Sequence, residues 1–341
     1  MRLTRRPVSI SLKEPFASNT GVVTEVRQCV LELAWEGLVG HGTARGADPA
    51  EIDACAPLLE GASPYELRQI IGRLAATGIG PPALSAVDMA LHDLLAKACG
   101  QPLHHLLGLA GLPKPPTAVS IGAGPPEELL ARGRALSAWP VVKLKLTGED
   151  DGSRAGLLRS VYAGRIQADG NGSWEPDQAL RVARELHRHG VEVLEQPVPP
   201  GHLDDLRHVH ERSPVPVFAD EDCARPEDVL RLRGRVSGVN IKLLTCGGLL
   251  AAREAITLAR HCGLDVMLGC KVESSLGVTA MAQLAGLADR LDLDGHLGLL
   301  DDPFSGVRID DGVISLPAAP GLGAVPDPAL CPTRSGTNGD H

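Results

Sequence analysis

Aromatic side chains are nearly missing from this chain: three Phe, two Tyr and three Trp make up 2% of 341 residues. Its core must be assembled from Leu, Val, Ile and Ala instead. Basic runs are also missing, and the formal net charge is −9. That balance excludes nucleic acid and an anionic membrane surface as evident partners. No apolar stretch approaches the ~20 residues of a membrane span. The opening residues, MRLTRRPVSISLKEP, carry basic side chains with only a short alternating segment behind them. They read as a first strand rather than a signal peptide. The eight cysteines are scattered and never form C-x-x-C. This suits reduced thiols in a cytoplasmic protein, not a disulfide framework or a zinc site.

What is present falls into two rhythms. Residues 7–45 alternate apolar and polar side chains, which predicts antiparallel strands with a turn near Glu36-Gly37. Residues 50–112 read as helical. In PALSAVDMALHDLLAKACG, Ala83, Val87, Ala90, Leu91, Leu94 and Leu95 mark one side and Gly100 a stop. Residues 1–112 are thus expected to form an α+β unit. From 113 onward, eight short apolar segments alternate with amphipathic ones: TAVSIG, VVKLKL, GRIQAD, VEVLEQ, VPVFAD, GVNIKL, LDVMLG and RLDLDG. Such a repeat predicts a closed (β/α) barrel, with a doubly wound open sheet as the alternative. No G-x-G-x-x-G follows the first of these strands, which weakens a dinucleotide-binding version of the open sheet. The turn-rich end, residues 326–341, is expected to be a loose tail.

Polar residues gather at the predicted C-terminal strand ends, where barrels place their active sites. Strand two carries Lys143 and Lys145, and strand three Asp169 and Asn171. Glu195 ends strand four, Asp220-Glu221 strand five and Lys242 strand six, while Asp292 and Asp294 belong to strand eight. Each alone suits a solvated loop or a helix cap. Asp169 and Asn171 alone suit a turn, although period-two spacing would put them on one face of a strand. The set behaves differently. Glu195 follows Asp169 by 26 residues and Asp220 follows Glu195 by 25, about one βα unit each. Three oxygens then converge on one point of the rim, where they would repel unless a cation sat among them. Hard oxygen donors point to Mg²⁺. Lys242 lies in an otherwise apolar strand, so it must be paired or functional. Beside a divalent cation and other lysines its pKa should be depressed, making it a base near pH 7.

These motifs resemble the enolase superfamily, in particular its muconate-lactonizing-enzyme subgroup. The matching residues are K-x-K (Lys143, Lys145), D-x-N (Asp169, Asn171) with Trp174, EQP (Glu195), ADE (Asp220) and NIKL with a following GG (Lys242, Gly247, Gly248). The resemblance runs nearly the whole chain, to about residue 325. It implies an N-terminal α+β capping domain (1–112), a (β/α)₇β TIM-like barrel (113–305) and a C-terminal segment (306–325) packing back on the cap. It also implies Mg²⁺ on Asp169, Glu195 and Asp220, with Asn171 as their hydrogen-bonding neighbour. Lys145 and Lys242 would be an opposed acid/base pair, Lys143 would assist Lys145, and an enediolate would form on proton loss.

RLDLDG, with Asp292 and Asp294, resembles the D-x-D by which dipeptide epimerases hold the substrate's α-ammonium. The resemblance therefore implies an isomerase, a dipeptide epimerase acting on the C-terminal residue. Within the subgroup the alternatives are an N-acylamino acid racemase, an o-succinylbenzoate synthase or a muconate-type cycloisomerase. Outside catalysis the alternative is a binding barrel. A homo-oligomer is compatible with either. This chain departs from the pattern at three places. The loop PFASNTGVV has no Arg, where members selective for Ala-Glu carry one. Thr245 replaces a lysine often found after NIKL. Lys271 stands after strand seven, where an uncharged residue is common. Lys271 is either a solvated loop residue or an ammonium reaching the pocket and favouring an acidic C-terminal residue. The preferred dipeptide stays open.

Overall fold

The alternating N-terminal segment forms a three-stranded antiparallel sheet in the computed structural model: β1 (Arg2–Ser18), β2 (Gly21–Trp35) and β3 (Leu38–Arg45). Residues 1–18, 21–146, 148 and 151–330 are described. Asn19 and Thr20 of the PFASNTGVV loop lie outside them. Glu36 and Gly37 take the β2–β3 turn with φ of 47° and 80°. Ile52, Leu59, Ile70 and Leu74 from the following helices are fully buried in the core that covers this sheet.

The long cap helix (Pro81–Ala98) departs from expectation. Its sequence marks one apolar side, yet 12 of its residues are buried, Asp88, His92 and Asp93 among them, while Leu95 is only partly so. The reason is its position: it packs on β2 and β3 on one side and on the barrel helices Leu243–Cys246 and Leu249–His261 on the other. A helix covered on several faces loses its amphipathic signature. Gly42 permits the approach, since a Cβ there would collide with the Ala86 carbonyl. Buried Asp88 accepts the Leu249 N–H at 2.5 Å, and Asp93 accepts the N–H groups of His41 and Leu322.

All eight apolar segments form strands: β4 (Val119–Ile121), β5 (Val141–Lys145), β6 (Arg165–Asp169), β7 (Val191–Glu195), β8 (Val217–Ala219), β9 (Gly238–Ile241), β10 (Asp265–Gly269) and β11 (Arg290–Asp292). They are parallel and follow one another in chain order around one sheet. A parallel bridge between Thr117 and Leu291, with Ala118 N–H donating to the Leu291 carbonyl at 2.8 Å, joins the last strand to the first. This is a closed (β/α)₇β barrel with an N-terminal capping domain, and the open-sheet alternative falls. Val193, Phe218 and Met267 form a separate buried cluster within it. The scarce aromatic ring fits because Gly238 has no Cβ to collide with it.

The chain then returns to the cap. Gly321 N–H donates to Gln101 and its carbonyl accepts from Leu103. Contacts continue into the expected tail: Val325–Pro326 pairs with Phe304–Ser305, and Arg6 donates to the Leu330 carbonyl at 3.1 Å. Residues 331–341 of the expected tail lie outside the described residues. No described helix is long and apolar enough to cross a membrane.

Candidate active site

Strand alternation decides which side chains enter the barrel. On β5, Val142 and Leu144 belong to the large apolar core, while Lys143 and Lys145 turn the other way. The register sets Lys145 beside Asp169 on β6 and Asp169 beside Glu195 on β7. Asp220 follows the end of β8. One oxygen from each of Asp169, Glu195 and Asp220 lies within 4.8 Å of the others. Their exposures are 0%, 1% and 6%, so this is an interior carboxylate cluster, not a solvated rim.

Three ammonium groups meet it. Lys143 Nζ lies 3.1 Å from Asp169, 2.9 Å from Glu195 and 2.7 Å from Asp292. Lys145 Nζ lies 2.6 Å from the same Asp169 oxygen, so both lysines share one carboxylate. Lys242 Nζ donates to Asp220 at 2.5 Å. In the ring β5 is the second strand and β9, which leads into Lys242, the sixth. Second and sixth of eight are diametrically opposed. The carboxylates occupy the arc between them on strands three to five.

The electrostatics follow the geometry. Burial opposes the charge of Asp169, but Lys145 and Lys143 outweigh it and hold its pKa well below the usual range. Asp220 is likewise lowered against burial, first by Lys242. Glu195 goes the other way: burial pushes it up to about 7, Lys143 offsetting only part. Lys242 is expected to be depressed by a neighbouring cation; the protein's own groups act on it in the other direction. Burial lowers it, yet the Asp220 carboxylate beside it dominates and its pKa is raised. Lysine depression occurs at Lys271, through the Lys242 ammonium and then burial. A divalent cation fits the cluster. Its donors are hard oxygens only, they are mutually within reach, and Glu195 holds a charge its surroundings disfavour.

Asn171 takes the turn rather than the extended-strand reading of its spacing. It lies past the end of β6 with φ 41°. Its backbone N–H donates to Asp169 at 3.0 Å and its amide to Glu221 at 3.3 Å. On the other arc, Asp292 ends β11 and Asp294 follows. Asp294 accepts the Ser120 N–H at 2.6 Å, and burial with Asp292 raises it to about 6. Both line a cavity of about 700 Å³, together with Lys145, Asn171, Lys242 and Lys271 from the barrel and Leu12, Phe16 and Arg45 from the cap.

Residues 1–108 match the N-terminal domain model of the mandelate racemase / muconate lactonizing enzyme family, and residues 127–330 match its enolase C-terminal domain-like model. The chain belongs to this family. It is similar to a hydrophobic dipeptide epimerase of Roseobacter litoralis, 38% identical over 86% of this chain and 87% of the relative. It is also similar to an L-Ala-D/L-Glu epimerase of Bacteroides thetaiotaomicron, 33% identical over 95% of this chain and 88% of the relative. A dipeptide epimerase from Enterococcus faecalis, solved with Mg and L-Leu-L-Tyr, superposes with a TM-score of 0.90 at 28% identity, covering 95% of this chain and 98% of its own.

Several residues around the family's barrel mouth went unread in the sequence. Asn240 donates to Glu195 at 2.9 Å. It precedes Lys242 by two, so the alternation that exposed Lys242 could also have exposed Asn240. Gln196 accepts the Asp220 N–H at 3.0 Å. Arg45, Lys13 and Arg132 join Lys271 on the cavity wall. Positive charge on the pocket wall therefore does not depend on Lys271 alone. Arg45 ends a cap strand far away in sequence, and only docking of cap on barrel brings it there.

Proposed function

We propose that this chain is a dipeptide epimerase that uses Mg²⁺ and inverts the α-carbon of the C-terminal residue. The observation that carries the reading is the opposition of Lys145 and Lys242 on diametric strands, with three carboxylates on one arc and Asp292 and Asp294 on the other. Asp169, Glu195 and Asp220 would hold the metal, which supplies positive charge to a substrate carboxylate as the α-proton leaves. Lys145 and Lys242 then face the α-carbon from opposite sides. One takes the proton and the other returns one. Lys143 keeps Asp169, Glu195 and Asp292 in place by pairing with all three. Asp292 and Asp294 meet the substrate's ammonium, and the cap closes the cavity to water.

The division into a cap (1–112), a barrel (113–305) and a returning segment (306–325) belongs to the same reading. So does a cytoplasmic location, which is supported by the free thiols of the described cysteines. The test is a dipeptide library incubated with enzyme and Mg²⁺ in D₂O. Deuterium should enter the α-position of the C-terminal residue as the diastereomer forms. Exchange into N-succinyl or N-acetyl amino acids with dipeptides untouched would replace this reading with a racemase.

A further inference from the structure

We propose that Arg45 and Lys271 form an anion subsite in the cavity wall that selects dipeptides carrying a carboxylate side chain. The inference rests on the dipeptide reading and deepens it. Arg45 ends β3 in the cap, and its guanidinium donates to the Val272 carbonyl at 2.7 Å. That bond pins it to the loop after β10, beside Lys271, and both side chains line the cavity. Among the described residues neither cation has a carboxylate within ion-pair distance. The cavity's acids are engaged elsewhere. Glu14 lies 3.6 Å from Arg132, Glu221 accepts the Asn171 amide, Asp292 pairs with Lys143 and Asp294 takes the Ser120 N–H. Asp220 and Glu221 act on Lys271 from a distance, with Asp220 already paired to Lys242 at 2.5 Å, and buried Glu273 is the carboxylate that acts on Arg45. One of its oxygens accepts the Lys271 backbone N–H at 3.2 Å. Burial pushes its carboxyl up to about 7, so near neutrality it offsets the two cations only in part.

The placement suits a substrate side chain. Lys271 follows the seventh barrel strand, between Lys242 after the sixth and Asp292 on the eighth. A dipeptide whose α-carbon lies by Lys242 and whose ammonium lies by Asp292 passes beneath this wall. A side-chain carboxylate reaching upward would meet the fork of Arg45 and the ammonium of Lys271 together. A neutral side chain would leave both cations without a counter-charge in a closing site, and a cationic one would be repelled.

The test compares kcat/KM for L-Ala-L-Glu and L-Glu-L-Ala with their glutamine isosteres, and with L-Ala-L-Leu and L-Ala-L-Lys. The glutamate dipeptide should exceed its glutamine isostere on the order of tenfold or more in at least one position. Lys271→Gln and Arg45→Gln should each collapse that ratio. Lys271 is itself exposed, so Lys271→Gln tests the subsite even if Arg45→Gln fails to fold. Equal rates for glutamate and glutamine in both positions, or a ratio that survives Lys271→Gln, would overturn the subsite. If no dipeptide is turned over, the proposed function fails separately. Calorimetric binding of L-Ala-L-Glu against L-Ala-L-Gln to the Mg²⁺-loaded protein then still decides the subsite: tighter glutamate binding supports it, equal binding sinks it.

Discussion

The Lys143 ammonium donates to Asp292 Oδ2 at 2.7 Å, linking the second barrel strand to the eighth. The same ammonium lies 3.0 Å from Glu195 and is 1% exposed. Burial opposes its charge, but Asp292, Glu195 and Asp169 raise its pKa well above the ordinary lysine value. Its ammonium ties the carboxylate cluster to the D-x-D. Replacing it with a neutral chain strands several buried charges, a change that costs about 3–5 kcal/mol. Lys143→Met should show that loss in urea unfolding at neutral pH. A loss under about 1 kcal/mol would mean that the carboxylates do not depend on it.

The carboxylate cluster gives a second expectation. Glu195→Gln keeps the volume and the Asn240 contact but removes one anionic donor. Calorimetry should show Mg²⁺ affinity falling on the order of a hundredfold, the loss of one strong charge-assisted interaction. The far-ultraviolet circular dichroism should stay that of the native barrel. Undiminished Mg²⁺ binding would move the metal site elsewhere.

How much of this was visible in the sequence depends on the range of the interactions. The barrel was legible because each βα unit repeats a local pattern. The carboxylates were legible because their spacing of 26 and 25 residues matches that repeat. For Asn171 the sequence left a turn and a strand face both open, because two-residue spacing cannot reveal that the strand ends at Asp169 and the backbone turns into positive φ. The partner of Lys242 was not legible, because its 2.5 Å contact with Asp220 joins residues 22 positions apart at the ends of neighbouring strands. Arg45 and Asp93 were invisible for the same reason on a larger scale. Arg45 meets a loop 227 positions away, and Asp93 a backbone N–H 229 away.

The opposed lysines predict a stereochemical split. Lys145→Ala and Lys242→Ala should each abolish epimerisation. In D₂O each variant should still exchange the α-proton of one epimer, and the two epimers should differ. Proton NMR of both diastereomers reads this directly. An epimerisation rate within a few-fold of wild type in either variant (about 1 kcal/mol in barrier) would break the two-base assignment.

Asp292 and Asp294 predict a requirement for a free amino terminus. An N-acetylated dipeptide loses the ammonium and presents a neutral amide to two carboxylates. Its kcat/KM should fall on the order of ten- to a hundredfold, the worth of a charge-assisted hydrogen bond. Asp294→Asn should weaken the free dipeptide while leaving the N-acetylated one little changed. Equal losses on both substrates would show that Asp294 supports the strand end, through its bond to Ser120, and does not read the ammonium.

Asp93 predicts a pH dependence of stability. Its carboxylate accepts from Leu322 N–H at 2.7 Å, His41 N–H at 2.9 Å and Lys97 Nζ at 2.6 Å, joining the cap helix to β3 and the returning C-terminal segment. Burial works to raise its pKa, but His41, Lys97 and the Leu322 N–H prevail and lower it. A carboxyl with a lowered folded-state pKa stabilises fully above its unfolded value, about 3.9. That stabilisation is lost as pH falls through the folded-state pKa. Asp93→Asn cannot carry the charge and should cost about 3 kcal/mol at pH 7. The gap between the proteins should hold down to about pH 4 and close below it, since only the native protein still has a charge to lose. Urea unfolding of both from pH 7 to pH 3 measures the gap directly, with the other carboxylates common to both. A gap of constant size across that range would show that Asp93 acts through its shape and hydrogen bonds, not its charge.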